Sequence, residues 1–327
     1  MIPELVPDEQ LQGPSAYTLP PSMRQVMQAE AERTAPERFL ASRFLPHGAE
    51  LLPGSLTWIV ARTGVGKSFY IAELACDFAA NGCRVLIFSS EMSGAQYARR
   101  LATRAPGVSV TALRENRHTW ADAARELDYL ERVHLAEHVR DHAAILERCL
   151  DFTAATTAEG LEPVICLDYL QGFAGATYED VSAASRLALD IAHNPAYGHR
   201  APFVIGAVQA NTRGESAAGP VTLTASKGSG NVEQDGALII GLSDLERPAD
   251  DETPKTGKPS RPWQERHLER LGNAGHSLIA PCGYGIHARL LEVLKDRNGE
   301  AGALLLLWAD FRNGRYLPAQ SGASERE

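Results

Sequence analysis

The chain has 327 residues, 44% hydrophobic and 22% charged, which is enough apolar material for a large core and excludes global disorder. Its longest unbroken apolar run, 303–308, is far below the roughly 18 residues of a membrane helix, and the opening MIPELVPDEQ has no basic segment leading into an apolar one, so a soluble, cytoplasmic protein is expected. Five scattered cysteines without a CxxC pair exclude a disulfide framework, and a net charge of −9 means that any nucleic-acid contact must be local rather than a bulk attraction.

Residues 1–45 are rich in Pro, Gln and Glu; only 22–35 has helical periodicity, with Met23, Val26, Met27 and Ala31 on one side. They read as an arm with a short helix. From 46 to 327 short Val- and Ile-rich runs alternate with helix-period segments, the pattern of an α/β fold built on a mostly parallel twisted sheet flanked by helices. The runs are 55–60, 84–89, 163–167, 202–208, 237–242, 288–294 and 303–308. The last two are separated by a short segment around Asn298-Gly299, which predicts a tight C-terminal antiparallel hairpin at the sheet edge, and Asn313-Gly314 repeats the device. Residues 244–261 hold three prolines and dense charge without periodicity, and read as a flexible insertion. His134, His138 and His142 would form a metal-ready stripe on a helix, yet 134–139 reads equally as a strand that separates them. Cys166, inside an apolar run, reads as a packing residue.

The first apolar run leads directly into Ala61-Arg62-Thr63-Gly64-Val65-Gly66-Lys67-Ser68, after which Phe69, Ile71, Ala72, Ala75 and Phe78 recur at helical spacing up to a stop at Asn81-Gly82. This resembles the Walker A loop GxxxxGK(S/T), with Ala61 replacing the first glycine. Its glycines let backbone N–H groups curl around phosphate, the helix N-terminus adds its dipole, Lys67 bridges the terminal phosphates and Ser68 holds Mg2+. The nucleotide cradle thus runs from Ala61 to Phe69. The run 163–167 closes on Asp168, a Walker B arrangement that orients a magnesium-bound water. The run 84–89 ends in Ser89-Ser90-Glu91-Met92, and Ser93 with Gln96 forms a capping box. Glu91 is either the general base for the attacking water or an ordinary strand-end carboxylate.

Taken in order, IVARTGVGKS (59–68), LIFSSEMSGAQ (86–96), LDYLQ (167–171), VQAN (208–211), SGNVEQDGALII (229–240) and LKDRNGEAG (294–302) resemble the RecA-like ATPase domain of DnaB-type hexameric replicative helicases. LDYLQ and NVEQD are more specific than Walker A, because ordinary P-loop kinases and small GTPases lack a counterpart. The resemblance spans 46–318 and implies a RecA-like P-loop NTPase that uses ATP and Mg2+, forms a homo-oligomeric ring, a hexamer in the family, and moves on single-stranded DNA. It implies a replication loader or primase as further partners, and the family's usual N-terminal domain has no counterpart here. Gln209 matches the glutamine that senses the γ-phosphate. Lys295 and Arg297 match a lysine and an arginine that act in trans on the neighbour's nucleotide; spacing alone leaves open a basic hairpin tip in solvent.

The family's strand-binding loops fall at about 172–180 and 213–230. The first has no Lys or Arg, and the second offers Arg213, Lys227, Gly228 and Ser229. Lys227 stands where the family usually has arginine, and Thr212 displaces Arg213 by one position from the usual pattern. The expected function is an ATP-dependent DNA helicase or translocase. The alternatives are a RecA- or KaiC-like ATPase, and an ATP-gated interaction module that assembles without unwinding.

Overall fold

The structure of the chain is a computed structural model. It describes residues 22–24, 27, 38–115, 118–173, 178–197, 200–210, 220–225, 230–246, 263–278, 286–311, 313 and 315–319, with the side chains of 118, 178 and 225 left aside. Contacts divide the chain into two units, 1–38 and 39–327. The expected helix at 22–35 lies almost wholly outside the described residues; within it Met23, Arg24 and Met27 are helical and exposed.

In the larger unit nine strands among the described residues form one sheet. They are β1 Leu56–Ala61, β2 Cys83–Ser89, β3 Val133–Glu137, β4 Glu162–Asp168, β5 Phe203–Gln209, β6 Leu238–Asp244, β7 Ile286–Asp296, β8 Leu304–Asp310 and β9 Arg315–Pro318. The spatial order is β3-β2-β4-β5-β1-β6-β7-β8-β9, parallel as far as β6 and antiparallel from β7 onward. All the apolar runs named above are strands. They read as continuous apolar segments because helices cover both faces of the parallel part. Ile59 and Ala61 point into a core shared with Tyr70, Ile71, Leu74 and Phe78 of the helix Lys67–Ala80. Trp58 and Val60 point into the opposite core, with Ala184, Ala188 and Ile191 of the helix Tyr178–His193. Gly206 on β5 is required by that second core, since a Cβ there would overlap the buried ring of Trp58.

The expected C-terminal antiparallel hairpin forms: β7 pairs with β8, the ladder closes where Val293 N–H donates to Ala303 O (2.9 Å) and Gly302 N–H to Val293 O (2.7 Å), and Asn298-Gly299 lies in the connection. The left-handed residue there is Gly302, with φ +94°, while β7 continues past the closure along β6 as far as Asp296. One bound is corrected: the charged segment does not begin at Asp244, which ends β6 and accepts from Arg289 Nη1 at 2.9 Å; residues 247–262 lie outside the described residues. The helix Trp263–Asn273 had not been foreseen. It lays Trp263 and Leu271 against Leu290, Leu306 and Trp308. Its buried face runs Trp263, His267, Leu271, and the histidine breaks the apolar period. His134 lies in β3, His138 follows it and His142 opens the helix His142–Ala158, so the histidine stripe does not form. Among the described residues no group of His, Cys, Asp and Glu could hold a metal ion by itself, and no helix is long and apolar enough to cross a membrane.

Candidate nucleotide site

The parallel strands place the carboxyl ends of β1, β2, β4 and β5 along one edge, where α/β sheets bind ligands. From Ala61 the chain turns through Gly64 (φ +81°) and Gly66 (φ +109°) into the helix Lys67–Ala80. Gly66 is constrained twice: its backbone is left-handed, and a Cβ would collide with the Tyr316 hydroxyl and lie 3.1 Å from Phe311 Cε1. The loop is braced from behind. Arg289 Nε donates to Val65 O (3.1 Å), and the Tyr316 hydroxyl lies 3.3 Å from both Val65 O and Gly66 O.

A cleft of about 410 Å³ opens in front of the loop, lined by Thr63, Gly64, Gly66, Lys67, Ser68, Phe69, Glu91, Arg100, Tyr169, Gln209 and Phe311. Lys67 Nζ curls back toward Ala61 O (3.4 Å) and stands over the Tyr169 ring, 5.5 Å from its centroid. Burial lowers its pKa, while the nearby Asp168 and Glu91 carboxylates pull it up again. Ser68 Oγ donates to Asp168 Oδ1 at 3.0 Å, and the Tyr97 hydroxyl donates to Oδ2. Asp168 is only 2% exposed, and burial raises its pKa against these two hydrogen bonds and the charges of Lys67 and Arg100. A hydroxyl and a carboxylate oxygen brought together beside a phosphate-type loop are hard oxygen donors, the set Mg2+ takes alongside phosphate and water. Ser68 and Asp168 therefore fit the ion.

The remaining residues join this cleft through short polar contacts. Glu91, just past β2, accepts from the Tyr169 hydroxyl at 2.8 Å. The expected capping box forms behind it, with Ser93 N–H donating to Gln96 Oε1 at 2.9 Å. Gln209, at the end of β5, donates from Nε2 to Thr63 Oγ1 (2.7 Å), and its backbone is clasped by the Gln171 amide through bonds of 3.0 and 3.1 Å. Gln209 thus links the phosphate loop to the segment after β4. Cys166 is fully buried in β4 and burial pushes its thiol up, as a packing residue requires.

Lys295 and Arg297 are elsewhere. Lys295 pairs with Ile239, which pairs with Trp58, so it sits toward the amino edge of the parallel strands, roughly 10 Å from Ala61 along the strand at about 3.3 Å per residue. Neither side chain stands free at a hairpin tip. Lys295 Nζ donates to Glu233 O and Gly236 O (2.8 Å to the latter), and Arg297 donates to Gln234 O, so both cap the carbonyl end of the helix Gly230–Asp235. Neither lines the cleft of its own chain. Arg213, Lys227, Gly228 and Ser229 lie outside the described residues.

Sequence reasoning passed over Tyr97, Arg100, Tyr169, Phe311, Arg289 and Tyr316. Tyr97 and Arg100 lie one turn apart on the helix Gly94–Ala102, and Tyr169 directly follows the Walker B aspartate; those placements were available as signals. Phe311 meets Phe69 edge to face at 5.3 Å only because β8 and β9 fold back past the loop, which no local pattern announces.

A parallel sheet with a glycine loop, a buried aspartate and an antiparallel edge is a RecA-like P-loop ATPase domain. The chain belongs to the family of the DnaB-like helicase C terminal domain, whose model matches residues 49–313. Among solved structures it is similar to a DnaB-like replicative helicase, described with its interactions with primase, at 18% identity and TM-score 0.57 over 81% of this chain and 57% of that one. It is also similar to the ATPase domain of a second protein, at 17% identity and TM-score 0.56 over 80% of this chain and 84% of that one. At such identities the likeness speaks for the fold, and the chain spans little more than half the length of the first structure. No curated protein sequence matches it.

Proposed function

We propose that the chain is an ATP-driven motor of the DnaB-like class, hydrolysing ATP at the junctions of a ring and moving on single-stranded DNA. The observation that carries this reading is a division of labour across the sheet. Lys67, Ser68, Asp168, Glu91 and Gln209 gather at the carboxyl edge, while Lys295 and Arg297, needed for the same chemistry in the family, lie toward the opposite edge. A cation so placed serves a phosphate only on another copy.

In this reading the backbone amides of residues 61–69 and Lys67 bind the phosphates, and Glu91 takes a proton from the attacking water. Tyr169 orients Glu91 meanwhile through its 2.8 Å hydrogen bond. Mg2+, held by Ser68 and Asp168, would supply the charge neutralisation. Gln209 reads the terminal phosphate and passes its position to Thr63 and Gln171, and Arg100, stacked 3.9 Å over Phe69, adds a cation from the same chain. For Lys295 and Arg297 to act they must exchange their carbonyl partners for a neighbour's phosphate, so ring closure would remodel the end of the helix Gly230–Asp235. The segment at 22–35 would dock on the adjacent copy, and Arg213, Lys227, Gly228 and Ser229 would track the DNA backbone.

The test mixes Lys67→Ala with Arg297→Ala protein. Each alone is inactive, the first through lost nucleotide binding and the second with binding intact. Co-assembled, they regain turnover at junctions that pair an intact loop with an intact finger. A mixture as inactive as its components, despite demonstrated co-assembly, removes the trans assignment. Unwinding of a forked duplex then separates a helicase from an ATPase that only assembles.

A further inference from the structure

We propose that Tyr97 is a positioning residue for the divalent cation that accompanies the nucleotide: its hydroxyl holds Asp168 Oδ2 and so keeps Oδ1 turned toward Ser68. The inference rests on the nucleotide-site reading above and adds to it a residue that touches neither nucleotide nor metal.

A carboxylate at the end of a strand can rotate about its terminal bond, and a metal-orienting carboxylate needs one orientation. Here both oxygens are assigned, Oδ1 to Ser68 Oγ at 3.0 Å and Oδ2 to the Tyr97 hydroxyl. Tyr97 is itself only 2% exposed and packs in the core beneath the P-loop helix, so its hydroxyl has a fixed address. In an interior site this bond offsets part of the cost of burying the charge, and it constrains the plane of the carboxylate as the outer partners of metal ligands do. Tyr97 belongs to the helix Gly94–Ala102, which starts behind Glu91 and carries Arg100 into the cleft. A shift of that helix therefore moves the metal-orienting group, the cleft arginine and the start of the Glu91 segment together.

The test is Mn2+ binding to the full chain in the presence of ADP, read from the free-ion paramagnetic resonance signal, beside binding of a fluorescent ADP in chelator. Tyr97→Phe keeps the ring that fills the core and removes only the hydroxyl. Mn2+ affinity is expected to fall about 10-fold, the lower end for loss of an outer-sphere partner. Metal-free ADP affinity should stay within about twofold. Tyr97→Leu gives the same comparison if the phenylalanine variant is unstable. An unchanged Mn2+ affinity in folded Tyr97→Phe overturns the inference, as does a parallel loss of metal-free ADP binding, which marks general support of the cleft. A parent chain that binds no ADP overturns the site reading itself and this inference with it.

Discussion

The buried pair Glu73–Arg104 beneath the phosphate loop gives a prediction with a built-in asymmetry. Arg104 Nη2 donates to Glu73 Oε2 at 2.9 Å, both side chains are 7% exposed, and the same oxygen accepts the Tyr316 amide at 2.9 Å. Burial raises the Glu73 pKa even though Arg104, the Tyr316 amide and Arg43 pull it down. Attraction thus falls short of desolvation. Glu73→Leu strands a guanidinium that cannot shed its proton, at about 3–5 kcal/mol, and orphans the Tyr316 amide at about 1–3 kcal/mol more. A loss of that size rivals the whole stability of a typical domain. Arg104→Met is milder, because the carboxyl left behind can take up a proton and still accept from Tyr316. The sign follows from linkage: with its folded pKa raised above the unfolded value, Glu73 contributes stability that is present below the unfolded pKa and is lost as pH rises through the folded one. Arg104→Met should therefore lie closer to the parent at pH 5 than at pH 8. Urea unfolding of parent, both single variants and Glu73→Leu/Arg104→Met at the two pH values measures this, the double variant being expected to outlast Glu73→Leu. Equal losses for the two single variants, or an Arg104→Met deficit that ignores pH, refute the reasoning.

Other outcomes are expected from the same contacts. Glu91→Gln should bind ATP with parental affinity while turnover falls about 10²- to 10⁴-fold, the range of general-base loss; steady-state kinetics beside equilibrium binding decides it. Arg297→Ala should lose about 10³-fold or more in turnover, with a normal nucleotide Kd measured by fluorescence titration. Gly206→Ala pushes a methyl into the Trp58 ring and should cost at least about 1–3 kcal/mol by denaturant midpoint, with a shifted tryptophan emission. Arg289→Met removes the brace on Val65 O and should weaken ATP binding more than it lowers the thermal midpoint.

What was legible in the sequence was local. Ala61 to Ser68 announces itself because eight successive residues make the loop, and the strands 56–61, 83–89, 162–168 and 203–209 announce themselves because both faces are buried. β3 was readable only as one of two options, since VHLAE is half-exposed and alternates weakly. The C-terminal hairpin was legible from Asn298-Gly299 between two apolar runs, whereas the extension of β7 along β6 to Asp296 was not, because its partner strand is distant in sequence. Of the residues expected at the site, Lys67, Ser68 and Asp168 were legible because they begin a helix or end a strand, Glu91 because it follows a strand end, and Gln209 through the family resemblance; the fold brings all five to one cleft. Tyr97, Phe311 and Tyr316 were not legible, because the contacts of Tyr97 with Asp168, Phe311 with Phe69 and Tyr316 with the loop span 71 residues or more of chain.

β7 has one end in each of two affairs. Arg289 grips the protein's own phosphate loop, and Lys295, six residues and roughly 20 Å further along, holds the carbonyl end of the helix Gly230–Asp235. Between them the strand is hydrogen-bonded on both sides only as far as Val293; at Leu294 it bulges against β6, and Lys295 is paired on the β6 side alone. A displacement felt at Val65 is therefore carried stiffly as far as Val293, and the bulge is the place where β7 gives.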